Sequence, residues 1–431
     1  MSQQTHRKKI LIFIDWFLPG YKAGGPVRSM ANMVAYLKED YLFYIVTRNT
    51  DYTETIPYKT VNSNCWESFS ENVNVYYADE AHQNKLTYKG ILNEVVPDIV
   101  YINGVYSWKF SILPLLVAKK ASSAKVIVAT RGMLAASAID VKGGKKKLFL
   151  KLARMAGLYK RTIFHATNEK EKQDINRVLG QRLQVQVADN LPKKVLPEFN
   201  SIEKHQGELK LVSLARIAPE KNTLFALKKL SELGSFQGHI SFDLYGQIYN
   251  EDYWHQCEDI ICRLPENIRV EHKGTVDAEL VGATIQKYHS LFMPTRGENF
   301  GHVILESLSA GRPVLISDQT PWRELQEVKA GWDVSLELKS RKVELSTKTR
   351  EEVKGVGLKT EKVEKGTGLK VKGETFEARS PKTGSGEWCQ VLRTLLEMEQ
   401  EKFDAWCEGA RRRAEGFVNN PALKEQYLEL F

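Results

Sequence analysis

Glu298 and Glu306 stand eight positions apart in Pro294-Thr-Arg-Gly-Glu298-Asn-Phe-Gly301-His-Val-Ile-Leu-Glu306-Ser-Leu-Ser-Ala-Gly311-Arg-Pro313-Val314. A strand is expected to end at Pro294, a glycine-bearing loop follows, and a helix should begin near Gly301 or His302. Such a strand–loop–helix points backbone N–H groups at an incoming anion, and the helix dipole reinforces them. One carboxylate falls on the loop and the other in the first two turns of the helix. They could accept hydrogen bonds from hydroxyls at opposite ends of one ligand while the amides between them hold phosphate. Alone, such a pair is more often an ordinary helix-start acid and a surface glutamate, so the surroundings decide.

Those surroundings resemble the retaining glycosyltransferases of family 4, which have the GT-B fold. The shared frame is matched at Pro294, Glu298, Phe300, Gly301, Glu306, Gly311, Pro313 and Val314, and continues through Ser317, Pro321-Trp322 and Gly331-Trp332. Upstream, Ser213-Leu-Ala-Arg216-Ile-Ala-Pro-Glu220-Lys221-Asn222 looks like the family's basic pair beside the donor diphosphate. The resemblance implies transfer of a sugar from a UDP- or GDP-sugar to an acceptor hydroxyl with retained anomeric configuration. It gives Glu298 the sugar hydroxyls and Glu306 the ribose. Arg216, Lys221 and the amides of Asn299, Phe300, Gly301 and His302 would stabilise the diphosphate. The departing nucleoside diphosphate carries about two or three negative charges, which two fixed cations can stabilise without a metal. No Asp-x-Asp motif occurs, so neither metal nor cofactor is expected.

In the first half, Pro19-Gly-Tyr-Lys-Ala-Gly24-Gly25-Pro26-Val-Arg28-Ser29 follows an apolar run. Glycines after a strand are weak evidence, because any tight turn uses them. The resemblance puts this loop against the cleft, where Gly24 and Gly25 would let backbone approach the donor. Arg28 would add a charge there or point to solvent. Thr130-Arg131-Gly132-Met133 closes another strand where relatives often carry a cleft-lining His or Arg, which makes Arg131 a candidate. His165 reads as a packed histidine ahead of a catalytic one.

The elements that must position these residues alternate along the chain. Short apolar, β-branched runs at 10–16, 42–47, 73–78, 99–103, 125–130 and 162–166 are separated by glycine-containing loops and helix-like stretches. After a Pro- and charge-containing passage the pattern restarts, with strands expected at 209–214, 240–245, 268–272, 291–294 and 313–317. Buried strands alternating with helices mean parallel sheets covered on both faces, with ligands at the strands' carboxyl ends. The expected fold class is α/β, GT-B, two Rossmann-like doubly wound domains facing a cleft. Residues 1–195 form an acceptor domain, 196–207 a linker and 208–336 the donor domain. Residues 337–386 form a Lys/Gly-rich insertion, β-prone or disordered, and 387–431 form helices, the last returning to the N-terminal domain.

Composition bounds the rest. The chain has 431 residues, 42% hydrophobic and 27% charged, which suits a globular protein with more than one core. No apolar run reaches the roughly 20 residues a membrane span needs, and the N-terminus lacks the pattern of a signal peptide. Five cysteines without a paired spacing point to free thiols, and the chain reads as cytosolic. The net charge of +9 suits an anionic partner. More than half of it lies in 337–385, with 13 Lys/Arg against 8 Asp/Glu. That stretch holds one aromatic residue, too few to stack bases, so nucleic acid is not an expected partner. The stretch from Lys142 to Arg161 is basic with apolar interleaving and has two readings. Either it is a solvated helix whose Leu148, Leu152 and Met155 face the core, or it docks on anionic lipid near a lipid-linked or surface-glycan acceptor. Two rival functions share the cleft: a sugar-nucleotide epimerase, and a nucleotide-sugar binding protein without catalysis.

Overall fold

The architecture is that of a computed structural model, which describes residues 7–135, 138–139, 143–277, 279–336 and 384–431. The expected 337–386 insertion falls almost wholly outside them. Two sheets divide the chain. The first comprises β1 (Lys9–Phe13), β2 (Leu42–Arg48), β3 (Trp66–Ser70), β4 (Val73–Ala78), β5 (Ile99–Asn103), β6 (Lys125–Ala129), β7 (Ile163–Ala166) and β8 (Gln184–Val187), in spatial order β3-β4-β2-β1-β5-β6-β7-β8. The second comprises β9 (Glu208–Leu214), β10 (His239–Tyr245), β11 (Ile268–His272), β12 (Ser290–Met293), β13 (Val314–Ser317) and β14 (Gly331–Val334), ordered β11-β10-β9-β12-β13-β14.

The central strands are apolar on both faces because helices cover both: β5, β12 and β13 are buried throughout. Pairing is parallel except at one edge, where β3 runs antiparallel to β4. Only Glu71 and Asn72 separate these two strands, and Asn72 takes a left-handed φ of 61°, which closes a hairpin instead of a crossover.

The helices are α1 (Gly25–Leu37), α2 (Lys85–Val95), α3 (Leu113–Ala121), α4 (Gly143–Met155), α5 (Glu169–Leu179), α6 (Thr223–Ser231), α7 (Glu251–Ile261), α8 (Val281–Ile285), α9 (His302–Ser309), α10 (Gly384–Leu396), α11 (Gln400–Val418) and α12 (Ala422–Leu430). Trp388 of α10 is fully buried among Phe225 and Phe292 of the second domain. The chain then crosses over. Leu423, Tyr427, Leu430 and Phe431 join the core under β1, β5 and α1, and Lys8 and Lys125 cap the last turn by donating to the Phe431 and Leu430 carbonyls. Each of those apolar side chains contributes about 1.5–3 kcal/mol when fully buried, so the C-terminal helix ties the two domains together.

The basic stretch corrects one expectation. Leu148, Leu152 and Met155 do not face the core: they are 59%, 55% and 74% exposed. Leu150 and Ala153 are the buried residues of α4, because the apolar positions occupy two faces of the helix and only one can meet the sheet.

Candidate active site

In each doubly wound sheet the order reverses at one point, and the crevice beyond the strands' carboxyl ends opens there. In the second domain that point is between the adjacent strands β9 and β12, whose following loops hold Arg216 to Asn222 and Pro294 to Gly301. The loops are bonded together. Arg296 N–H donates to the Glu220 carbonyl at 2.9 Å, Thr295 Oγ1 to the same carbonyl at 3.1 Å, and Asn222 Nδ2 to the Pro294 carbonyl at 3.0 Å. In the first domain the reversal lies between β1 and β5. There Ser107 Oγ donates to Asp15 Oδ1 at 2.8 Å, and Arg48 Nη2 pairs with the same oxygen at 3.1 Å.

The loops bring Lys221 and Glu298 together, with Nζ 2.5 Å from Oε1 and side-chain exposures of 20% and 14%. Arg216 is not part of that pair. It bonds Glu220 at 3.4 Å and lies over the Tyr249 ring, 5.0 Å from its centroid, with 44% of its side chain exposed. Tyr249 in turn meets Tyr52 of the first domain, hydroxyl to hydroxyl, at 3.5 Å.

Helix α9 begins at Gly301, whose φ of +79° needs glycine and where an added Cβ would come within 2.7 Å of the Ile304 side chain. Ile304 N–H donates to the Gly301 carbonyl at 2.9 Å, and no side chain caps the helix start, where the first amides lack an acceptor four residues back. Helix α1 opposes it. Gly24 caps α1 with a φ of +71°, Gly25 is its first residue, and an added Cβ at either would meet open space. Two side-chain contacts close the gap: Arg28 Nη1 to Glu306 Oε2 at 2.7 Å, and Ser29 Oγ with His302 Nε2 at 2.6 Å. Burial pushes the Glu306 carboxyl up and the Arg28 guanidinium opposes that shift. Burial, with Arg28 and Arg131 nearby, pushes the His302 imidazole down to about 3, so it is neutral near pH 7.

The expectation at Asn299 and Phe300 concerns their backbone amides, and their side chains are engaged elsewhere. Asn299 Nδ2 donates to Thr167 Oγ1 at 2.7 Å and Glu171 Oε2 at 3.3 Å, while its carbonyl accepts from Asn168 Nδ2 at 2.9 Å. It is an interdomain latch because Gly132, with no side chain, lets it approach. Phe300 packs inward against His302, Trp322 and Phe417, and Trp322 Nε1 donates to its carbonyl at 2.7 Å. Only backbone remains at these two positions for an anion.

Arg131 also differs from a cleft-lining cation. Its guanidinium turns inward to Asn103 Oδ1, Asn190 Oδ1 and the Tyr101 hydroxyl at 2.7–2.9 Å. The backbone turns at the strand end, where Arg131 takes a φ of +51°. His165 is a packed histidine between the Tyr101 hydroxyl and the Ala188 carbonyl, and burial lowers it to about 3.

Sequence reading missed Glu171. This residue is 3% exposed and accepts from Thr130 Oγ1, Gly132 N–H, Thr167 N–H and Thr167 Oγ1 as well as Asn299. Burial would raise its pKa, but those bonds outweigh it and hold the carboxyl below its usual range. The available signal was its place in the first turn of α5, three residues after the Asn168 cap.

Residues 196–329 match the family described as Glycosyl transferases group 1. Solved structures are similar over nearly the whole chain. The Anabaena protein HepE, in complex with UDP and glucose, has a TM-score of 0.63 at 14% identity, covering 98% of this chain and 99% of that one. Sucrose-phosphate synthase from Thermosynechococcus elongatus gives 0.64 at 12% identity, covering 98% of each. WaaG, a glycosyltransferase involved in lipopolysaccharide biosynthesis, gives 0.56 at 13% identity, covering 97% and 98%. At these identities the likeness is one of fold: the chain has the two-domain GT-B architecture. No curated protein matches the sequence.

Proposed function

We propose that the protein is a retaining, metal-independent glycosyltransferase of the family-4 type. It would move a hexosyl group from a UDP- or GDP-sugar to a hydroxyl of a surface-glycan or lipid-linked acceptor. The carrying observation is the pairing of Lys221 with Glu298 beside α9, which puts a cation, a carboxylate and a helix N-terminus around one crevice. The group 1 match over the second domain supports this reading, as do the HepE structures with UDP and with UDP-glucose.

Lys221 and the first-turn amides of α9 take the diphosphate, whose charge grows as the glycosidic bond breaks. The backbone at Gly24 and Gly25 approaches it from the facing helix. Arg216, carried on a more exposed loop, closes over the same phosphates. Glu298 accepts from sugar hydroxyls and Glu306 from the ribose, with Arg28 holding the Glu306 carboxylate in place. The leaving phosphate oxygen takes the acceptor proton on the face from which it departs, so no protein nucleophile is assigned. Arg131 acts as a positioning residue under the floor.

The test has two stages. Thermal stabilisation across UDP-, GDP-, ADP- and CMP-linked sugars identifies the donor. NMR of the product then reads the anomeric configuration. Retained configuration on an acceptor supports the proposal; an inverted product or an epimerised donor without acceptor overturns it.

A further inference from the structure

Helix α4 carries Leu148, Leu152 and Met155 on its outer face at i, i+4 and i+7, so they form one stripe. Its sequence, Gly-Gly-Lys-Lys-Lys-Leu-Phe-Leu-Lys-Leu-Ala-Arg-Met, holds no acidic residue. By helical spacing Lys145 flanks the stripe on one side and Lys151 and Arg154 on the other. Lys146 is turned away, over the Tyr106 ring and onto the Ala138 carbonyl. Two cavities open beside the helix. One, of about 420 Å³, places Lys147, Lys151, Arg154 and Arg177 over Leu150 and Val178. The other, of about 710 Å³, shares Arg154 and adds Lys125, Lys160, Arg161 and Arg182. Among the described residues no carboxylate lines either one, although Asp174 pairs with Arg177 at 2.5 Å. Among the described residues no helix is long and apolar enough to cross a membrane.

We propose that this face of the N-terminal domain docks on an anionic phospholipid bilayer. Leu148, Leu152 and Met155 enter the acyl boundary while the cations beside them and in the two cavities meet lipid phosphates. Charge complementarity selects this occupant. A second copy related by a twofold axis would set cations against cations. A nucleic acid would leave the apolar crest unused, and Phe149, the aromatic residue of α4, packs inward toward Tyr106. A helix with an apolar crest and cationic shoulders lies in the plane of an interface, its two attractions adding. The proposal is independent of the donor site, which lies on the cleft between the domains.

The test is co-sedimentation of the full chain with vesicles of phosphatidylcholine, with and without phosphatidylglycerol, at low and high salt. The expected result is binding that requires phosphatidylglycerol and weakens with salt. Leu148→Glu with Leu152→Glu should lose roughly ten-fold or more. Lys145→Glu with Lys151→Glu should lose about five-fold per charge. Both variants should keep the wild-type melting temperature, since all four side chains are exposed, and the wild-type thermal response to nucleotide sugars. Equal binding to neutral vesicles, no binding, or unchanged binding by the leucine variant overturns the proposal. So does a concentration-dependent dimer that the leucine variant abolishes, which would give the face to a second copy.

Discussion

Arg28 of α1 and Glu306 of α9 form an ion pair that joins the two domains across the cleft, 2.7 Å from Nη1 to Oε2. The carboxylate assigned to the ribose therefore already has a cation from the opposite domain. Its side chain is 18% exposed and that of Arg28 24%, so the pair is only partly screened by water.

Arg28→Ala would leave the Glu306 carboxylate half-buried without its cation, at a cost of about 1–3 kcal/mol of stability. The Arg28→Ala, Glu306→Ala double variant should recover part of that, with a coupling of at least about 0.5 kcal/mol in urea unfolding. Strict additivity would show that the pair does not hold the domains together.

Lys221→Ala should slow turnover roughly 10²–10³-fold at saturating donor, the scale for losing one transition-state charge contact. Near-normal turnover would remove Lys221 from the mechanism. Chelation of divalent cations should leave wild-type turnover unchanged.

Glu306→Ala should act on donor binding more than on chemistry, raising KM with little change in kcat. An unchanged KM would count against its ribose role. Because burial raises the Glu306 pKa, donor affinity should begin to fall at a higher pH than for an ordinary carboxylate as the solution is acidified.

Two fully buried histidines, with His302, make the fold sensitive to acid. Burial holds His165 at about 3 and His289 at about 4, against 6.5 for a free imidazole. Below pH 6.5 the unfolded chain binds protons that the folded one refuses. Stability therefore falls as pH falls toward those values, by up to about 1.4 kcal/mol per pH unit for each histidine, and is flat in this respect above 6.5. The slope of melting temperature against pH should be shallower in His165→Gln, although that variant is less stable at neutral pH. An identical slope would mean that His165 titrates normally.

The doubly wound sheets and the two loops that hold Lys221 and Glu298 were legible from sequence because they rest on local rules. Apolar runs of strand length, glycines where φ must be positive and the Glu298 to Val314 frame all act within a few residues. The sequence by itself also determined that Lys221 and Glu298 each belong to a loop that follows a strand, while the sheet order made those strands, β9 and β12, neighbours. Tertiary structure alone decided what those side chains meet, because each partner lies far along the chain: Arg28 for Glu306, Ser29 for His302, Thr167 and Glu171 for Asn299. The same limit explains α4 and Arg131. Periodicity states that a helix has an apolar face, but α4 has two, and the sheet can cover only one of them. A guanidinium at a strand end can point up into a cleft or down among buried amides, and three acceptors, two on β5 and one in the segment after β8, turn Arg131 down.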